Sequence, residues 1–457
     1  MIQSSRIRDK GRSSWRPLFF SLLLLLCAAA QARTTRVTLL HFSDYHSHAL
    51  PFYSEGHEKR GGIARAIGYL RAEKKRGALV FSGGDMMNKG SPAWSDKYRC
   101  VEWPWFNDII DAMAFGNHDP DYGAGEMQSC LDAIRYPVLS ANTNGFMPSH
   151  VFVSNGIRVG VFAIAGSDFK TLVKEPMLHF GDPVAAARDA VRDLRETQHA
   201  DVVVLIGHEH LDDDFALARA VPGIDLILGT HSHLKRPLTK IDGTSTWFIS
   251  PFQYLTYISR VVLKFDGHKL TGVSGRLVPV TVRMPLDKTL ARRVATMERD
   301  LERDPQYAPL FATIGTLSSP LSVDALALKT VEIMRDAAHA DVALSTASSF
   351  RQDLPRGRIT FEALRAAMPY DNEIVVYSLP GDAVEKLLAY GKSRQGSDSF
   401  AIVAAPAAID PARTYRVATT EFLARTAAGY RDFFEGLTAE TSGLHVRDEV
   451  RKRLGGQ

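Results

Sequence analysis

The chain has 457 residues, of which 45% are hydrophobic and 23% charged; this suffices for two domains with ordinary buried cores and excludes a disordered or disulfide-scaffold protein. Its formal charge of +4 is concentrated at the start, because residues 1–32 hold five basic side chains and one acidic one, and the remainder balances at 50 of each sign. With no basic excess in the body of the chain, nucleic-acid binding loses its compositional support.

In chain order, Arg6, Arg8, Lys10, Arg12 and Arg16 precede an apolar stretch from Leu18 to Ala30, and Ala30-Gln31-Ala32 has the form of a cleavage site. These are the features of a secretory signal peptide over 1–32. The apolar run is short for a membrane span, and Cys27 follows Leu26 rather than the small residue that precedes a lipid-attachment cysteine. A periplasmic or secreted protein without a stable membrane anchor after cleavage is expected. Cys100 and Cys130 remain, free to pair in an oxidising compartment. Neither lies in a CxxC or beside a candidate histidine, which argues against a thiolate metal site.

Arg36–Phe42 reads as a strand bounded by Ser43-Asp44, and Gly61–Arg76 has apolar residues at helical spacing (Ile63, Ala66, Ile67, Leu70) with a basic last turn. Further strands are expected at Ala78–Phe81, Ala112–Phe115 and Val138–Ala141, with a hairpin about Asn155-Gly156. Pro183–Thr197 is helical in pattern. Asp201–Ile206 is apolar on both faces, as a central strand should be, and Ile224–Leu228 repeats that character. Strands are also expected at Trp247–Ile249, Tyr257–Phe265 and Val278–Val282. The charged, helical stretch from Pro285 to about Leu310 reads as a linker. Beyond it helix and strand alternate: Asp324–Ala338, Asp341–Ser345, Thr360–Met368, Glu373–Ser378, Pro380–Tyr390, and again from Tyr415. The division is 33–284, a linker over 285–320, and 321–457.

Five of the first-domain strands end in polar motifs: Asp44-Tyr45-His46, Gly83-Gly84-Asp85, Gly116-Asn117-His118-Asp119-Pro120-Asp121, Gly207-His208 and Gly229-Thr230-His231-Ser232-His233. Strand ends at one edge of a sheet bring distant residues together, and α/β proteins keep their chemistry there. Imidazole, carboxylate and amide side chains in this number suffice for two ions, with a carboxylate such as Asp85 able to bridge them. The donor set suits zinc, manganese, iron or cobalt.

The ordered series DxH, GGD, GNHD, GH, GTHSH resembles the calcineurin-like metallophosphoesterases. The longer matches GNHDPDYG and Gly61-Gly62-Ile63-Ala64-Arg65 resemble the secreted 5'-nucleotidase family of that superfamily, in which metallophosphatase and 5'-nucleotidase parts form one chain. The resemblance implies an α/β fold: a metallophosphatase β-sandwich flanked by helices, joined by a linker helix to a smaller α/β substrate-binding domain. It implies that Asp44, His46 and His233 hold one metal ion, that Asn117, His208 and His231 hold another, and that Asp85 bridges them. His118 and Asp121 match the catalytic pair. His233 stands where many family members have glutamine, and Pro120 replaces a usual aromatic. The implied reaction is release of phosphate from a nucleoside monophosphate by attack of a metal-bound hydroxide, with His118 as an imidazolium held by Asp121.

In the second domain, Ser345–Ile359 and Met368-Pro369-Tyr370-Asp371-Asn372 resemble the family's arginine loop and its LPFGN segment. Arg351 falls on the arginine that grips phosphate, and Tyr370 and Phe422 fall on the aromatics that clamp a nucleobase. The family's Asn-Gly-Gly-Gly before the arginine is Thr346-Ala347-Ser348-Ser349 here, its ribose-holding aspartate is Ala428, and an arginine expected near Pro320–Asp324 has no counterpart. The alternative is therefore the same machinery on another small-molecule ester: a 2',3'-cyclic nucleotide, a nucleotide sugar, a non-nucleotide phosphate or a thiosulfate-type sulfur ester. A non-catalytic binding protein would have lost metal ligands or the His/Asp pair, and none is lost. Because the metal site and Arg351 fall in different domains, a closure motion is expected to join them.

Overall fold

Two six-stranded sheets face each other in the first domain of this computed structural model, which describes residues 34–427 and 429–455. The expected signal peptide and Ala428 lie outside the described residues. One sheet runs in the order Lys269–Pro279, Tyr257–Asp266, Thr35–Phe42, Leu79–Ser82, Ala112–Ala114, Val138–Leu139, and its last four strands are parallel. The other runs Lys235–Lys240, Trp247–Pro251, Leu226–Gly229, Val202–His208, Ile157–Ala165, Ser149–Ser154, with a parallel centre.

The two-residue period of a strand assigns its side chains to separate cores. In Thr35–Phe42, Val37 and Leu39 enter the core between the sheets, while Leu40 and Phe42 pack beneath helix Ile63–Lys74. In Val202–His208, Val202, Val204 and Ile206 meet the inter-sheet core, while Val203 and Leu205 lie under helices Pro183–Arg192 and Leu211–Ala220. That strand is buried on both faces, as its composition predicts.

Helix Lys288–Arg303 follows, with the Asp287 carboxylate accepting from Thr289 N (3.1 Å) and Leu290 N (3.0 Å) at its N-terminus. Leu290, Val294 and Leu301 seat it on the first domain's core. The second domain is a five-stranded sheet in the order Ala401–Ala404, Val342–Thr346, Thr414–Thr420, Glu373–Pro380, Glu440–His445. Helices Val323–Ala337 and Val446–Gly455 cover one face, and Gly381–Ser393 the other. The molecule is thus a two-domain α/β protein.

Two expected elements are corrected. Val278–Val282 is not a strand of its own: Val278 and Pro279 end the long strand Lys269–Pro279, which forms a hairpin with Tyr257–Asp266 across Gly267. Its partly exposed, polar outer face hides it from an apolar-run criterion. The helix from Pro183 keeps α geometry only to Arg192, and Asp193–Thr197 is a wider π turn. Among the described residues no helix is long and apolar enough to cross a membrane.

Cys100 and Cys130 form a disulfide with Cα atoms 5.7 Å apart, tying the segment after helix Ala93–Tyr98 to helix Ala124–Ala133. Replacing both with serine should lower unfolding stability by about 3.7 kcal/mol, the chain-entropy value for a sequence separation of 30. Denaturant unfolding of the double variant beside the wild type measures it.

Candidate metal centre

All seven expected ligands arrive at one edge of the sandwich. Asp44 and His46 follow strand Thr35–Phe42, Asp85 follows Leu79–Ser82, and Asn117 follows Ala112–Ala114. From the other sheet, His208 ends Val202–His208, and His231 and His233 follow Leu226–Gly229. The turns that carry them are tight. Asp44, His46, Asp85, His231 and His233 all have positive φ, between 45° and 57°. Left-handed backbone at a non-glycine residue costs roughly 1–3 kcal/mol and persists only where the surroundings impose it. Here backbone bonds impose it: His46 N donates to Asp85 O (2.9 Å), Ser47 N to Met86 O (3.0 Å) and Tyr254 N to Asp44 O (2.8 Å). Gly116 is required by contact, since a Cβ there would stand 2.2 Å from Asp85 N.

Ligand atoms of Asp44, His46, Asp85 and His233 lie within 4.8 Å of one another, as do those of Asp85, His208 and His231. Asp85 belongs to both groups. Asn117 joins the second, its Oδ1 3.3 Å from His208 Nε2. His46 Nδ1 faces Met87 O (3.2 Å) and His208 Nδ1 faces Gly83 O (2.6 Å), so both rings turn Nε2 inward.

The donor set fits divalent cations. Asp44 Oδ2 and Asp85 Oδ2 are buried with no hydrogen-bond partner, an arrangement that calls for positive charge. Burial outweighs the carboxylates at His46 and holds it well below the usual range, a neutral imidazole able to coordinate. Burial and then the Arg351 guanidinium push His233 down to about 4. At His208 burial is overcome, chiefly by Asp85, and the group rises to about 9. Asp85 thus draws positive charge towards itself from whichever neighbour can carry it.

His118 stands beside this cluster. Its backbone N donates to Asp85 Oδ1 (2.8 Å), and its Nδ1 is 2.8 Å from Asp121 Oδ2. Burial disfavours its charged form, but Asp121 and Asp85 outweigh burial and raise it to about 10. Arg351 comes from the second domain, yet its Nη1 already touches His233 Nδ1, its carbonyl accepts from Gln253 Nε2 (2.8 Å), and its Nη2 donates to Tyr370 Oη (3.3 Å). Arg351 is thus already joined to the metal-site residues in this arrangement of the two domains. Tyr370 is brought to the site. Phe422, on helix Glu421–Arg425, is exposed, and its ring makes no aromatic or cation contact among the described residues.

Three groups at the site have no role in the sequence reading: Asp119, inside the Gly116–Asp121 motif, and Gln253 and Asp168, outside all five. Asp119 accepts from Met86 N and Gly116 N, both 2.8 Å, and locks the turns that carry Asp85 and Asn117. Gln253 Oε1 meets His233 Nδ1. Asp168 Oδ2 lies 3.0 Å from His231 Nε2; the Gly166-Ser167-Asp168 that closes the apolar strand Ile157–Ala165 is the same glycine-then-acid signal, and could have been found by it.

Residues 37–235 match the calcineurin-like phosphoesterase family, and residues 316–405 match the 5'-nucleotidase C-terminal domain. The first domain belongs to the calcineurin-like phosphoesterases. The chain carries the 5'-nucleotidase type of second domain and is a metal-dependent phosphoester hydrolase. This phosphoesterase is 25% identical to the protein UshA of Yersinia enterocolitica across 87% of each chain. It is 24% identical to a 5'-nucleotidase of Vibrio cholerae over 78% of this chain and 77% of the other. Its fold matches a 5'-nucleotidase precursor of Thermus thermophilus with a TM-score of 0.71 at 22% identity, covering 92% and 96% of the two chains. The sulfate thiohydrolase SoxB of that genus matches at a TM-score of 0.70 and 20% identity, covering 92% and 94%.

Because Asp85 serves both groups of donors, Asp85→Asn should weaken both ions together, whereas His46→Ala should affect the first group alone. Metal content after dialysis, measured by elemental analysis, distinguishes the two patterns.

Proposed function

We propose that this phosphoesterase is a periplasmic or secreted 5'-nucleotidase that uses two divalent ions, drawn from zinc, manganese, iron or cobalt, to release phosphate from nucleoside monophosphates. The observation that carries the reading is the Arg351 guanidinium, delivered by a 5'-nucleotidase-type domain to the metal ligand His233, with Tyr370 beside it. The Cys100–Cys130 bond supports an oxidising compartment.

In this reading Asp44, His46 and His233 hold one ion, Asn117, His208 and His231 the other, and Asp85 both. Bound there, the ions supply a water-derived nucleophile near neutral pH and neutralise phosphate oxygens. The chain's own groups do the rest. Arg351 offers two parallel donors to the non-bridging oxygens of the ester, a geometry that fits phosphate. His118, kept protonated by Asp121, stabilises the transferring phosphoryl group and delivers a proton to the leaving alkoxide. Tyr370 and Phe422 present half-exposed faces on which a base can stack.

A second reading keeps this machinery and changes the ester. The turn before Arg351 carries hydroxyls, with Ser345 Oγ 3.2 Å from Ser349 Oγ and Thr346 Oγ1 3.0 Å from Ser348 Oγ. The ribose-holding carboxylate is Ala428. Both departures favour a substrate gripped at phosphate or sulfate and less firmly at a ribose.

Phosphate release from AMP, UMP, cyclic 2',3'-AMP, a UDP-sugar and glycerol phosphate by metal-loaded protein tests the choice. Fastest turnover of the monophosphates, with His118→Ala reduced by about 100-fold or more and Arg351→Ala raising KM, is expected. Equal turnover of glycerol phosphate would move the substrate to the second reading. Loss of all activity in wild-type protein that binds its metals would overturn both.

A further inference from the structure

From the proposed ligand His231 to the second domain runs a line of side chains, Asp168, His210 and Asp398, that the proposed reaction does not use. His231 Nε2 lies 3.0 Å from Asp168 Oδ2, the same oxygen is 3.1 Å from His210 Nε2, and His210 Nδ1 is 2.9 Å from Asp398 Oδ2. His231, Asp168 and His210 belong to the first domain, and Asp398 to the second. The far end is anchored. Asp398 O accepts from Ser348 N (2.9 Å) and Phe400 O from Ala347 N (2.9 Å), so the Asp398 loop is pinned to the turn that leads into Arg351. Arg394, four residues before Asp398, pairs with Asp212, two residues after His210.

With its Nε2 taken by Asp168, His231 has Nδ1 to offer an ion beside Asp85 and His208. A carboxylate on the distal nitrogen of a metal-bound imidazole fixes the ring's tautomer and orientation and raises its basicity. Asp168 stands in that position, and its own orientation is set by His210. His210 is held from its other side by Asp398, a contact that exists only when the two domains are together. The second domain therefore reaches both histidines of the Gly229–His233 motif: His233 through Arg351 and Gln253, and His231 through Asp398, His210 and Asp168.

We propose that Asp168, His210 and Asp398 are positioning residues that couple the second domain's docking to metal binding at His231. The coupling rests on the reading of His231 as a ligand. By linkage it is reciprocal: docking tightens the ion at His231, and that ion favours docking by the same factor.

Two readouts that do not depend on catalysis test it: zinc affinity by competition with a chromogenic chelator, and the interdomain distance by spin labels at the exposed positions Thr197→Cys and Glu385→Cys. In Asp168→Ala the weaker zinc equivalent should fall in affinity by about 10–100-fold. Asp398→Ala and His210→Ala should lower it by a smaller factor, on the order of 3–10-fold, with Asp398→Asn, which keeps an acceptor, in between. Zinc should narrow the label distances in wild-type protein and do so less in Asp398→Ala. Asp398→Ala that binds both zinc equivalents as wild type does, with the same zinc response in distance, would overturn the coupling; a thermal melt confirms that the variant is folded. His231→Ala that keeps both equivalents at wild-type affinity would remove the ligand reading and the coupling with it. Neither outcome depends on which ester the enzyme hydrolyses.

Discussion

Everything at the active edge depends on where Asp85 is put. Its carboxylate is almost completely buried, one oxygen accepts from His118 N, and the other has no hydrogen-bond partner. An isolated charge in such a place costs several kcal/mol, so the groups about it must supply positive charge or be cleared away. The molecule does both: Gly116 keeps a side chain off Asp85, where a Cβ would meet its N and Oδ1, and imidazoles from both sheets surround it. The strained turns follow from the same demand, because a left-handed residue reverses the chain quickly enough to aim several donors at one point. Two sheets packed face to face make that convergence possible; a single sheet edge would spread the same residues along a line.

This organisation was legible in the sequence wherever a buried strand ran into glycine and a polar ligand. Such strands are apolar on both faces, so the motif stands out against its flank, and Asp44, His46, Asp85, Asn117, His208, His231 and His233 could be placed at one edge without coordinates. Groups that act at a distance were not legible. Gln253 lies in a loop after Trp247–Pro251 with no glycine before it, and its amide gains its second partner, the Arg351 carbonyl, from the other domain. Asp398 sits in a polar turn of the second domain and gains meaning only from its distance to His210. Periodicity identifies what is buried along one segment; it carries no information on which two loops of separate domains will touch. The long edge strand Lys269–Pro279 was misjudged for a related reason, since its half-exposed faces leave only its end apolar.

The contact between domains is itself an electrostatic choice. Arg351 holds its guanidinium against His233 and helps keep that imidazole neutral, which favours coordination. The same cation would be repelled by two divalent ions unless an anion lay between them. A doubly charged phosphate ester satisfies the ions on one side and the guanidinium on the other, so the arrangement is complementary to the substrate's charge before any base or sugar is recognised.

That separation of duties says where specificity can diverge. Each ligand turn in the first domain answers to backbone bonds, to glycine contacts and to charge at once, so a substitution there disturbs all three. The second domain's recognition residues are under much looser constraint. Tyr370 and Phe422 are more than a third exposed. Exposed positions tolerate change at a cost within about 0.5 kcal/mol, so altering them shifts the substrate without unsettling the fold or the ions. The departures from the 5'-nucleotidase pattern at Thr346–Ser349 and Ala428 fall in this domain and leave every ligand turn of the first domain intact.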